Sequence, residues 1–167
     1  MNKKEISKKI KQLLNKSGIK AKVRGGKGTA YNWIDVWSED FGRCFTVEER
    51  EKMRDILGIG DPGNSNCYSN EIDRWEAILN RIDNKDTVDS EEYKDLIVKF
   101  KETALNFADS GTCCLGAGTF IIKDNKKIDF IRQLGMSDSR NWKAEESLKE
   151  DFNKLGLTTL HEAGVID

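Results

Sequence analysis

Three groups of residues in this chain have the types and spacing that chemistry requires. Cys113 and Cys114 are adjacent, and His161 is the only histidine. A cysteine nucleophile needs a base, and this is the one imidazole that could serve. "RGGKGT", Arg24 to Thr29, sets glycines around a lysine, the composition of a loop that cradles phosphate on backbone N–H groups. "IKAKVR" followed by "YNWIDVW" alternates cations with apolar residues, then aromatics with apolar residues. That is the make-up of a surface on which rings stack against bases while cations hold phosphates.

The first two groups fit plainer readings. A P-loop needs G-x-x-x-x-G-K-[ST] between a strand and a helix. Here Lys27 lies between glycines and a strand pattern follows. "GGKG" therefore reads as a hairpin turn, where glycine accepts a positive φ. Cys113 and Cys114 stand at the entry of an apolar run, "GTCCLGAGTF", and read as buried, reduced, structural thiols. A small enzyme built on Cys113 and His161 is a third function class, behind two binding readings. No C-x-x-C pair accompanies the single histidine, so no zinc site is expected. No cofactor is expected either. The carboxylate pairs of "VEERE", "SEEY" and "AEES" stand at helix starts, where the helix dipole accounts for them. No catalytic residue is assigned, and the expected mode of action is binding.

The third group depends on strand alternation. Ile19, Ala21 and Val23 take one face of the first strand, with Lys20, Lys22 and Arg24 on the other. On the return strand Ile34 and Val36 share a face with Asn32, and Tyr31, Trp33, Asp35 and Trp37 take the opposite one. The hairpin thus sets cations beside aromatics. Large aromatics commonly bury themselves, so Trp33 and Trp37 read equally as packing residues or as a contact surface. Lys27 in the turn and Lys4, Lys8 and Lys11 on the polar face of the preceding helix complete the candidate contact set. An ordinary solvated face is the alternative for those lysines.

The elements that position these residues follow from periodicity. "KKEISKKIKQLLNKSG" carries Ile6, Ile10, Leu13 and Leu14 on one helical stripe, expected to pack on the hairpin face of Ile34 and Val36. Thr46 and Glu49 have capping-box spacing ahead of a helix that ends at Gly58. "IGDPGNSNCYS" reads as a loop, "NEIDRWEAILNRI" as a short helix, and about Ser90 to Ala108 as the longest helix. A second hairpin turns at Asp124 and Asn125. A polar loop, a last helix over "AEESLKEDFNKLG" and a terminal strand follow. The order α-β-β-α-α, then α-β-β-α-β, predicts an α+β protein of two helix–hairpin–helix halves, small antiparallel sheets covered by helices. Its expected parts are a basic α-β-β-α subdomain over 1–60, a loop and connecting helix over 61–88, and an α-β-β-α-β subdomain over 89–167.

Composition bounds the partners. With 34% charged and 37% hydrophobic residues in 167, the chain has the balance of a globular protein with a core. It has no secretory apolar region and no membrane-length apolar run, so the cytoplasm of a bacterial host is the expected location and no membrane partner is expected. Residues 1–27 hold ten basic residues against one acid, and the other 140 hold 18 against 28. A basic head on an acidic body suits a polyanion partner at one end.

The N-terminal third resembles a known family. A helix, "IKAKVR", a glycine pair, the W-I-D-V-W strand and a helix after F-T-V-E-E are similar to a small domain attached to large polyvalent proteins of phages and conjugative elements. The resemblance covers about Glu5 to Leu57 and implies a mobile-element context. Proteins of this size often block host defences there, including CRISPR nucleases. What it implies is an anti-CRISPR-type accessory protein whose partner is a host nuclease or that nuclease's nucleic acid. The runner-up is a stand-alone DNA- or RNA-binding module.

Overall fold

The computed structural model describes residues 1–59, 61–106, 118–132, 138–159 and 163. The fold is α+β, and the chain divides into two units, Met1–Leu79 and Asn80–Asp167.

The first unit begins with α1 (Lys3–Lys16). Asn2 caps it: its side chain accepts from the Glu5 N–H at 3.0 Å, and the Glu5 carboxylate accepts from the Asn2 N–H at 2.9 Å, so two orphan donors of the first turn are satisfied. Ile6, Ile10 and Leu14 are fully buried and Leu13 half-buried, as the stripe predicts. There follow β1 (Ala21–Gly25), a 3-10 turn (Gly28–Ala30), β2 (Trp33–Ser38), α2 (Val47–Leu57), β3 (Cys67–Glu71) and α3 (Ile72–Asp83), whose last residues enter the second unit. The strands form one antiparallel sheet in the order β1-β2-β3. Val23 pairs with Val36 and Val36 with Tyr68, so the inner face carries Ala21, Val23, Ile34, Val36 and Tyr68. α1 lies along β1 on that side. From α3, Trp75 donates its indole N–H to the Ile34 carbonyl at 3.0 Å and meets the Tyr68 ring edge-on, centroids 5.5 Å apart.

β3 corrects the sequence reading, which placed Cys67 to Ser69 in a loop and Asn70 in a helix. The strand is an edge with a single apolar inward residue, Tyr68, so it shows no alternation. Pairing with β2 is what orders it. The structure thus has a three-stranded sheet where a bare hairpin between helices was expected. That pairing, with the Trp75 bond, places residues 67–79 in the first unit.

The second unit holds α4 (Lys85–Val88), α5 (Glu91–Asn106), β4 (Gly118–Lys123), β5 (Lys126–Arg132), α6 (Asp138–Ser147), α7 (Lys149–Lys154) and β6 (Thr158–Thr159). Its sheet has the order β5-β4-β6. The β4–β5 turn lies at Asp124 and Asn125, with φ of 52° and 61°, a conformation that short polar side chains tolerate. Tyr93, Leu96, Phe100, Ile121, Ile128 and Phe152 form much of its core. The last helix of the sequence reading is two helices broken at Leu148, and the expected polar loop is helical from Asp138. Among the described residues no helix is long and apolar enough to cross a membrane. Cys113, Cys114 and His161 lie outside the described residues.

Candidate nucleic-acid interface

The outer face of the first sheet is a grid set by register. Lys22 pairs with Trp37, and Trp37 with Cys67; Arg24 pairs with Asp35, and Asp35 with Ser69; Trp33 pairs with Glu71. The β1 row is therefore cationic, the β2 row runs Trp37, Asp35, Trp33, and the β3 row is Cys67, Ser69, Glu71. Lys20 extends the β1 row by alternation and is exposed, as are Lys22 and Arg24. Trp33 is 38% exposed and Trp37 half-buried. Alternation at the sequence level correctly put Lys22, Arg24, Trp33 and Trp37 on one face.

Phe41 is the member that the sequence did not reveal. It belongs to the β2–α2 connection, "SEDFGRCF", which has no periodicity. The Ser38 hydroxyl faces the carbonyls of Asp40 and Arg43, and the Asn66 amide donates to the Phe41 carbonyl at 2.6 Å. So held, the Phe41 ring meets Trp37 at 5.5 Å between centroids, with Lys22 Nζ 4.1 Å and the Arg24 guanidinium carbon 4.8 Å from its centre. Both cations lean on one ring, an attraction of about 0.5–1 kcal/mol each at an exposed site. An open groove of about 860 Å³ lies beside it, lined by Arg24, Gly25, Gly26, Lys27, Ala30, Asp35, Trp37 and Phe41.

The glycine turn is shaped differently from the sequence reading. Of its glycines only Gly28 has positive φ, +59°. Gly26 is required for space: a Cβ there would stand 1.9 Å from the Ala30 carbonyl oxygen. Lys3 pins the turn, donating from Nζ to the Gly26 carbonyl at 2.9 Å and the Tyr31 carbonyl at 3.1 Å, with its ammonium 3.8 Å from the Tyr31 ring centre. Lys3 precedes Ile6 and Ile10 by three and seven residues, which put it on the buried side of α1 and could have marked it. Tyr31 follows the 3-10 turn and is 63% exposed under Lys3. It lies outside β2 and is no part of the aromatic row, because the strand begins only at Trp33.

The predicted contact residues separate into two surfaces. Lys4, Lys8 and Lys11 are exposed on the side of α1 turned away from the sheet. Lys20, Lys22 and Arg24 are on the side of the sheet turned away from α1. Lys27, exposed in the turn, lines the groove with the second set. One flat ligand cannot lie across both.

The chain matches no protein-family model, no curated protein and no solved structure.

Asp35, in the middle of the grid, accepts from the Ser69 hydroxyl at 2.6 Å. Ser69 has then given up its one proton and accepts from the Cys67 thiol, 3.4 Å away. Burial pushes the Cys67 thiol up, and the Asp35 charge adds to that, so Cys67 is a protonated, weakly nucleophilic group. Beside the face, the Arg43 guanidinium makes two bonds to Glu49, at 2.8 and 3.0 Å. They hold the Glu49 carboxyl below its ordinary range and raise Arg43. Among the described residues no three His, Cys, Asp or Glu side chains converge as a metal-binding group.

Proposed function

We propose that this protein acts by binding, as an accessory protein of a phage or mobile element that inhibits a host nucleic-acid-handling defence such as a CRISPR effector. Its outer sheet face is the contact surface, laid on the nucleic acid that the defence enzyme handles. The observation that carries this is the register pairing Lys22 with Trp37 beside Arg24 and an exposed Trp33. Cations and π-faces side by side are what nucleic acid offers a use for, since phosphates and base faces alternate along it. The mobile-element setting rests on the resemblance of Glu5 to Leu57 alone. The exposure of Trp33 also favours a second reading, a stand-alone nucleic-acid-binding module, because a free ring can stack without an enzyme partner.

The test compares wild type with a Lys22→Glu, Arg24→Glu double variant. Both are assayed as inhibitors of a panel of purified CRISPR effector complexes and as ligands of labelled oligonucleotides. Both replaced residues are exposed, so each substitution should change stability by less than about 0.5 kcal/mol. Inhibition by wild type and its loss in the variant is the expected result. Oligonucleotide binding without inhibition of any effector selects the second reading. Equal behaviour of the two proteins in every assay removes this face from the function.

A further inference from the structure

We infer that the ligand of the outer sheet face is a single-stranded polynucleotide, with its backbone along β1 and its bases turned over β2. This rests on the nucleic-acid reading above and narrows it. The charge on the face is one-sided. Lys20, Lys22 and Arg24 line the β1 edge, whereas Asp35 occupies the centre and Glu71 the β3 edge. A duplex brings two phosphate backbones to a protein surface, and the second would meet Asp35 and Glu71. A single strand brings one.

The spacing agrees. Successive cations two residues apart on a strand are about 6.6 Å apart, comparable to the step between phosphates of an extended chain. Phe41 leaves those cations able to bind: its ring engages a face of the Arg24 guanidinium, and donors in the guanidinium plane point outward. Stacking on Trp33 requires a base whose face is free, which a paired and stacked duplex does not offer. Asp35 is an acceptor placed between Trp33 and Trp37 on the same row. It suits the amino or ring N–H donors of an unpaired base.

The experiment titrates the full chain with a fluorescent mixed-sequence 12-mer as single-stranded DNA, as the same sequence in RNA, as the DNA duplex, and with heparin as a polyanion lacking bases. Both single strands should bind within a few-fold of each other, and at least tenfold more tightly than the duplex or heparin. Trp33→Ala should weaken single-strand binding about 5- to 150-fold, and Trp33→Phe, which keeps a ring, should restore most of it. Wild-type tryptophan fluorescence should be quenched on saturation, a readout that needs no variant. Duplex or heparin binding as tight as single-strand binding, with Lys22→Glu/Arg24→Glu still abolishing it, overturns this inference and leaves the nucleic-acid reading standing. Saturation without quenching also overturns the inference alone. No binding to any of the four ligands overturns both.

Discussion

At the scale of single residues, two glycines of one turn are needed for different reasons. Gly26 lacks room for a side chain, whereas Gly28 has open space but a left-handed backbone. Gly26→Ala forces a Cβ against the Ala30 carbonyl and should cost about 1–3 kcal/mol, as overpacking does. Gly28→Ala should cost about 1–2 kcal/mol from backbone strain alone. Thermal melting of the two variants separates them, and the groove-lining turn should shift only in the first. Cysteine reactivity is a second residue-scale outcome. Cys44 is exposed, while Cys67 is half-buried with a raised thiol pKa. Alkylation with iodoacetamide at neutral pH, followed by peptide mass spectrometry, should label Cys44 well before Cys67. Faster labelling of Cys67 would contradict the hydrogen-bond chain to Asp35.

At the scale of elements, the contacts that fix the sheet come from outside it. Trp75 ties α3 to β2 through the Ile34 carbonyl. Trp75→Phe keeps a large ring but removes that bond, and should destabilise by about 1–3 kcal/mol, measured by urea unfolding. α2 begins with a capping box between Thr46 and Glu49, to which Arg43 adds its two bonds. Glu49 titrates below its ordinary value of 4.5 when folded. Its depressed pKa means that this contribution is fully present above 4.5 and is lost as pH falls through the lower folded value. Melting temperature should therefore drop on acidification from about pH 5 to pH 3. Glu49→Gln should start lower at pH 7 and lose less over that window. An unchanged acid profile in Glu49→Gln would show that other carboxylates set it.

At the scale of the molecule, charge is divided between the units. Met1–Leu79 holds 15 basic and 12 acidic residues, and Asn80–Asp167 holds 13 and 17. Attraction of a polyanion to the first unit is then electrostatic and sensitive to salt. Four cations on the sheet side, Lys20, Lys22, Arg24 and Lys27, predict a slope of log affinity against log salt of about −3 for a single strand. Lys22→Glu/Arg24→Glu should bring it to about half or below. A slope near zero would mean that these cations do not meet phosphates.

The sequence by itself determined the α+β class, the α1 stripe, the β4–β5 turn and the sharing of one strand face by Lys22, Arg24, Trp33 and Trp37. Each is a periodic or turn signal carried by neighbouring residues, and helix and strand geometry translate such signals directly into faces. Tertiary structure alone decided the rest. β3 is polar and exists because β2 offers it hydrogen bonds. Phe41 reaches Lys22, Arg24 and Trp37 because Ser38 and Asn66 hold its loop. The ten basic residues of the first 27 look like one patch in sequence. Folding turns Lys4, Lys8 and Lys11 away from Lys20, Lys22 and Arg24, because a helix and a strand that bury their apolar sides against each other must point their charged sides apart.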